Sequence, residues 1–101
     1  MKTKKILMLL VALLFVSTLF AVNLRGQVRG YNKYNGYFPY VSVQVILYVG
    51  QQKSTVYTDK NGMYYFYNIP PGRYLIKIGN HEFWYDVNST PSWQDIPVQT
   101  I

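Results

Sequence analysis

The sequence predicts an all-β protein, a sandwich of seven short strands in two sheets. Two observations lead there. Beyond residue 22 no apolar stripe of helical period is long enough to matter, and short β-branched and aromatic runs are instead divided by Gly, Pro, Asn and Asp. The clearest of these runs alternate apolar and polar residues, so a single sheet would leave an apolar face wet, and two sheets packed face to face bury both.

The chain opens with Met-Lys-Thr-Lys-Lys, and residues 6–16 then carry no polar or charged group. Ser17 and Thr18 interrupt the run before Leu19, Phe20, Ala21 and Val22. A basic start followed by a short apolar stretch is the pattern of a secretory signal peptide. Even taken whole, residues 6–22 fall short of the roughly 20 apolar residues a membrane-spanning helix needs. Ala21 suits the position before a cut, although Leu19 stands where a small residue is usual. The expected organisation is a signal peptide over residues 1–21 and one domain over residues 22–101, secreted or held in the periplasm or cell envelope. An uncleaved signal segment is the one expected route to membrane contact.

There is no cysteine, which excludes disulfides, thiol chemistry and thiolate metal ligands together. A domain of this size without staples depends on packing and sheet hydrogen bonds. Its aromatic content suits that demand, since all eleven tyrosines and both tryptophans lie beyond the signal. The net charge of +6 falls to +3 once Lys2, Lys4 and Lys5 leave with the signal. The remaining basic residues are scattered, whereas a nucleic-acid surface clusters them; no nucleic-acid partner is expected.

Residues 24–31 form the first expected strand, with Leu24, Gly26, Val28 and Gly30 on one face and Arg25, Gln27 and Arg29 on the other. Residues 32–40 read as a loop rich in Asn, Gly and aromatics. Residues 41–49 alternate most cleanly, placing Val41, Val43, Val45, Leu47 and Val49 on the face expected in the core. Strands are expected next at residues 53–58 and 63–67, joined by the tight turn Asp59-Lys60-Asn61-Gly62, whose last two residues tolerate positive φ. Residues 73–78, 81–87 and 94–101 complete the seven, with Pro97 suiting an edge.

The stretch Thr58-Asp59-Lys60-Asn61-Gly62-Met63-Tyr64-Tyr65-Phe66-Tyr67-Asn68-Ile69-Pro70-Pro71-Gly72-Arg73-Tyr74 carries a Thr-Asp-x-x-Gly turn, alternating aromatics and a Pro-x-Gly-x-Tyr turn and strand. Upstream stand Arg25-Gly26-Gln27-Val28 and Phe38-Pro39-Tyr40-Val41-Ser42-Val43-Gln44-Val45. Together these resemble the carboxypeptidase regulatory-like domains of the transthyretin-like, or prealbumin-like, superfamily. Tyr40 departs from that pattern, in which Leu is usual, and Ser42 or Val43 stands where the family favours small residues. The resemblance covers residues 24–87. It implies a seven-stranded Greek-key sandwich, an accessory role without catalytic residues, and a bacterial envelope setting. It also makes Asp59, Gly62, Pro70, Pro71, Gly72 and Tyr74 a structural turn signature.

The same residues have a direct physical reading. Asp59 is placed to accept backbone N–H groups across its turn, and Gly62 to adopt a conformation costly for other residues. Tyr64, Phe66, Ile69 and Tyr74 are expected to point inward, and Pro70-Pro71 to pin φ before Gly72 turns the chain.

Chemistry finds little footing. His81 is the only histidine, and along a strand it points away from Glu82. Asp59, Glu82, Asp86 and Asp95 are the only acids; Asp59 already has a turn role, and spacing alone does not show that the others converge. No enzyme activity, metal or cofactor is expected. Asn88-Ser89-Thr90 is a glycosylation triplet, followed at once by Pro91.

The remaining signal is a surplus of aromatics. Tyr31, Tyr34, Tyr37, Phe38 and Tyr40 crowd the first loop, while Tyr48, Tyr57, Tyr65 and Tyr67 fall on expected outward faces. Tyrosine offers rigid contact area with a polar tip, as interfaces favour; cross-strand aromatic pairs also stabilise sheets by themselves. The candidate binding surface is Tyr31, Tyr34, Tyr37, Phe38, Tyr40, Tyr65 and Tyr67. The expected function is a non-catalytic module for protein interaction or assembly, with an envelope or extracellular protein as partner. The alternatives are a small carbohydrate-binding module that stacks tyrosines on a glycan, and a structural spacer.

Overall fold

Alternation over the start of the domain produces one long strand, β1 (Val22–Asn32), whose even positions from Val22 to Gly30 are all buried. This strand organises the first sheet. The computed structural model describes residues 21–101; the expected signal peptide, apart from Ala21, lies outside the described residues. The strands that follow are β2 (Gly36–Pro39), β3 (Gln44–Val49), β4 (Gln52–Tyr57), β5 (Met63–Ile69), β6 (Gly72–Ile78), β7 (His81–Val87), β8 (Trp93–Asp95) and β9 (Gln99–Thr100).

They form two sheets. In the first, β1 pairs with β2, β5, β8 and β9; the second runs β4-β3-β6-β7. The two antiparallel partners of β1 continue one another along a single edge. They meet at Val28, whose N–H donates to Gly62 O (2.8 Å) and whose carbonyl accepts from Tyr40 N (3.0 Å). The opposite edge carries β8 and β9, both parallel to β1. There Asn23 N donates to Ser92 O, while Ile96 N donates to Arg25 O and Ile101 N to Arg29 O.

Among the described residues nine strands therefore stand where seven were expected. The loop over residues 32–40 contains β2, because Asn32 and Gly36 close a hairpin that keeps residues 36–39 in register with β1. The expected last strand is split, since Ile96 is buried and Pro97-Val98 passes unpaired between β8 and β9.

The core fills the space between the sheets: Val22, Leu24, Val28, Tyr64, Phe66 and Ile69 from the first, Val45, Leu47, Tyr74, Ile76, Ile78 and Val87 from the second, and Ile96 between β8 and β9. Val43, Val56, Phe83 and Tyr85 pack at its rim. Two of the valines expected in the core are not there. Val49 sits at the end of β3 and Val41 precedes it; both are exposed. The reason at Val41 is a local kink. Ser42 adopts a positive φ of 59°, and both Ser42 and Val43 bond to the single residue Thr58, so the regular alternation begins only at residue 43.

Thr58 is itself a buried polar residue with its hydroxyl fully used, accepting from Val43 N (2.9 Å) and donating to Tyr40 O. In the next turn Asp59 Oδ1 accepts from both Asn61 N (2.8 Å) and Met63 N (2.9 Å). Gly62 follows at φ +73°, and a Cβ there would lie 2.4 Å from Val28 O. The turn thus hands the chain to β5 at the point where β1 changes partner. At the second turn Tyr74 returns its hydroxyl to Pro70 O (2.6 Å).

The two long sides of the sandwich differ. On one, His81 Nε2 meets Gln99 Oε1 at 2.8 Å, Tyr85 OH donates to Asp95 O, and the buried Gln94 carboxamide bonds both backbone groups of Asn88 and the carbonyl of Pro91. These contacts tie β7 to β8 and β9. On the other side, among the described residues, β4 pairs only with β3, leaving that edge open.

Candidate functional site

Parity on β1 decides which aromatics share a surface. Its odd residues, Asn23, Arg25, Gln27, Arg29 and Tyr31, point out of the first sheet, and the residues registered beside them do the same. Next to Asn23 and Arg25 lie Trp93 and Tyr65. The Trp93 ring stands edge-on between Tyr65 (centroids 6.3 Å apart) and Tyr67 (5.8 Å). The Arg25 guanidinium lies 5.8 Å from the Trp93 ring and forms an ion pair with Asp95. That pairing holds the Asp95 carboxyl below the usual carboxylate range, chiefly through the hydrogen bond from Arg25.

Further along the same face, Arg29 packs its guanidinium 3.8 Å from the Tyr37 ring, and Tyr37 lies 5.2 Å from Tyr31. The result is a band running from Tyr67 and Trp93, through Arg25 and Arg29, to Tyr37 and Tyr31. Residues 23 to 31 of β1 set its length at about 27 Å. At the tip of the hairpin Tyr34 is 81% exposed, with Lys33 Nζ 5.1 Å from its ring.

The loop aromatics therefore divide. Tyr31 and Tyr37 join the outer band, and Tyr34 caps the hairpin. Phe38 rises on the opposite face, where its ring covers Gly30, and Tyr40 sits beside it with centroids 5.5 Å apart. Tyr65 is half-buried and Tyr67 exposed. The turn residues Asp59, Gly62, Pro70, Pro71 and Gly72 lie at strand junctions and Tyr74 is buried in the core, so none of them joins this band.

Trp93 is the member that residue-by-residue reading leaves out. It reaches Tyr65 and Tyr67 only because β8 runs parallel to β1, a pairing with no local signature. A second exposed tryptophan, Trp84, lies on the outer face of the other sheet with Arg73 5.3 Å away. Strand register sets it at the end of a row, Lys53–Tyr48–Leu75–Trp84.

Among the described residues no three His, Asp or Glu side chains gather in a way that would hold a metal ion. His81 faces Gln99 and Phe83, and Asp59 is committed to its turn.

Residues 20–94 match the family described as BOS complex subunit NOMO1-like, second beta sandwich domain. The chain belongs to this family. The match spans β1 to most of β8 of this NOMO1-like sandwich, and β9 lies beyond it. No curated protein sequence matches the chain.

Among solved structures, a Pseudomonas aeruginosa protein provisionally described as carbohydrate-binding is similar with a TM-score of 0.57 at 13% identity, over 80% of this chain and 88% of that one. The Bacillus anthracis TIE protein gives a TM-score of 0.63 at 16% identity, over 79% of this chain and 16% of that one. BcpA, the major pilin subunit of Bacillus cereus, gives 0.57 at 12% identity, over 78% of this chain and 29% of that one. The NOMO1-like chain thus corresponds to a small part of the last two proteins. At these identities the likeness is one of fold.

Proposed function

We propose that this NOMO1-like sandwich is a non-catalytic module for protein interaction or assembly, and that the outer face of its first sheet is the contact surface. The observation that carries the reading is the placement of Trp93 between Tyr65 and Tyr67, continued through Arg25 and Arg29 to Tyr37 and Tyr31. Tryptophan, tyrosine and arginine are the residues that most often dominate binding energy at protein interfaces. Here they are held by one another and by the strands, so little side-chain freedom is lost on contact.

Support of a second kind comes from the relatives' names, a subunit of a complex and a pilin subunit, both assembled proteins. Within the reading, the chain is a transthyretin-like sandwich of carboxypeptidase regulatory-like type, exported by its N-terminal segment to the periplasm, envelope or exterior, with a protein of that compartment as partner.

The experiment is affinity capture by the full chain from its host's envelope fraction, with Tyr37→Ser, Tyr67→Ser and Trp93→Ser made singly. A defined partner captured by the parent and depleted with each variant, at unchanged thermal unfolding, is the expected result. Capture that all three variants leave intact overturns the surface.

A carbohydrate reading is favoured by one observation, the similarity to the Pseudomonas aeruginosa protein along nearly all of that chain. It requires stacking rings, and the Trp93 ring stands at 89° and 83° to Tyr65 and Tyr67 rather than coplanar with them. Glycan binding by the parent that is lost in Tyr34→Ser and Tyr37→Ser would select it.

A further inference from the structure

The open edge at β4 has a chemistry of its own, separate from the aromatic band. Val49 and Gln52 flank the two-residue turn at Gly50-Gln51, and Thr58 N donates to Val43 O at the far end of the strand. In an antiparallel ladder the residues facing the partner alternate with those facing away. The even positions of β4 therefore bond to β3, and the backbone N–H and C=O groups of Lys53, Thr55 and Tyr57 point outward from the sheet. Every residue of β4 except Val56 is exposed, Tyr57 by 62%.

We propose that this edge pairs with the β4 edge of a second copy of the chain, antiparallel about a twofold axis at Thr55. Residues 53 to 57 are chemically complementary to themselves in that register. Thr55 faces Thr55, and Lys53 of each copy faces Tyr57 of the other, where an ammonium group can lie over a phenol ring. Ser54 faces Val56. The three outward residues of each copy exchange six backbone hydrogen bonds, which leaves none of their groups unpaired.

Neighbouring registers are worse: with the axis at Ser54, Tyr57 would face Gln51 in the hairpin turn, and with it at Val56, Lys53 would face Asp59, whose N–H is already given to Met63 O. Moving the axis to residue 53 sets the two lysines directly opposite one another, a repulsive arrangement. Moving it to Tyr57 runs the pairing into the kinked Thr58–Asp59 corner. With the axis at Thr55 the two lysines stay about 13 Å apart along the strands. The pairing also extends the Trp84–Leu75–Tyr48–Lys53 row of one copy onto Tyr57 of the next, making a continuous outer surface across an eight-stranded sheet. The closed side of the sandwich offers no such edge, because β7 is tied to β8 and β9.

The absence of cysteine makes the test clean. Thr55→Cys introduces a single thiol into the full chain, studied in a mild non-ionic detergent with a short bis-maleimide. Thr100→Cys, on exposed β9, reports random collision. Cross-linked dimer is expected to form at least about tenfold faster with Thr55→Cys, because pairing raises the local thiol concentration. Adding Lys53→Pro, which removes an outward N–H and is tolerated at an edge, should return the rate to that of Thr100→Cys. Equal rates for the two single variants overturn the proposal. So does a rate in Thr55→Cys that Lys53→Pro leaves unchanged at native near-ultraviolet dichroism. The thiol-free parent gives an independent reading: sedimentation as a monomer up to about 1 mM, where even a millimolar dimer would be half formed, also overturns it.

Discussion

The ring of Tyr64 lies across Gly26, its direct partner on the neighbouring strand, so closely that a Cβ at position 26 would stand 2.2 Å from the phenol. A second pair repeats the device four residues on, where Phe38 covers its own partner, Gly30. Both glycines lie on the inner face of β1, each leaving a gap that a facing ring fills. The pairs differ in freedom, since Tyr64 is fully buried and Phe38 is 39% exposed. Gly26→Ala should therefore cost about 1–3 kcal/mol of stability, as overpacking does in closed cores. Gly30→Ala should cost markedly less, because Phe38 can swing outward. Urea midpoints of the two variants check the order, and an equal loss would contradict it.

Tyr64 has a further peculiarity. Its hydroxyl is buried and has no hydrogen-bond partner. Burial also pushes the phenol pKa well above its ordinary value, with a smaller contribution from Tyr85. Tyr64→Phe removes an unsatisfied polar group, so it should leave stability at neutral pH unchanged or raise it by about 1 kcal/mol. The pH dependence has a definite sign. A phenol whose folded pKa is raised lends its full stability below the unfolded value near 10 and loses it as pH climbs toward the folded value. The parent should weaken above about pH 10, and Tyr64→Phe should weaken less steeply over the same range. Chemical denaturation at pH 9, 10 and 11 measures both slopes.

Much of this core was legible beforehand because strand parity is a local property. Leu24 and Val28, Val45 and Leu47, Tyr64 and Phe66, and Ile76 and Ile78 all follow from alternation alone. Parity fails where the chain leaves the ladder, as at Val41, where the positive φ of Ser42 resets it. The aromatic band was legible only in part. Tyr31, Tyr37 and Tyr67 announce themselves by number and phase, whereas Trp93 joins them through a parallel pairing between segments some 70 positions apart. One signal for the hairpin was present: a glycine on the inner face of an alternating strand calls for a large ring opposite. Gly30 thus foreshadows the inward position of Phe38 and a β2 to carry it.

Asp59 offers a graded test of the turn between β4 and β5. A single oxygen, Oδ1, accepts two backbone N–H groups, so Asp59→Ala strands both. The expected loss is about 1–3 kcal/mol, and Asp59→Asn, which keeps one carbonyl oxygen there, should lose less. Gly62→Ala should exceed Asp59→Asn, because it combines a left-handed conformation with backbone contact at Val28 O. Thermal melts of the three variants rank them, and a mild Gly62→Ala would show that β1 and β5 can part at this point.

Gln94 locks the loop that leads from β7 into β8. Its carboxamide is buried; Oε1 accepts from Asn88 N at 3.2 Å, and Nε2 donates to Asn88 O at 2.7 Å and Pro91 O at 3.1 Å. Gln94→Ala leaves all three backbone groups without these partners and opens a void under the loop, so a loss of about 2–4 kcal/mol is expected. The loss should be local before it is global. Trp93 is the preceding residue, and its position between Tyr65 and Tyr67 depends on β8 staying paired to β1. Tryptophan emission in Gln94→Ala, with Trp84→Phe as background so that Trp93 alone reports, should shift red well below the denaturant midpoint of the core. Coincident transitions would mean that β8 is held by Ile96 and the Arg25–Asp95 pair rather than by Gln94, and that the aromatic band does not depend on this carboxamide.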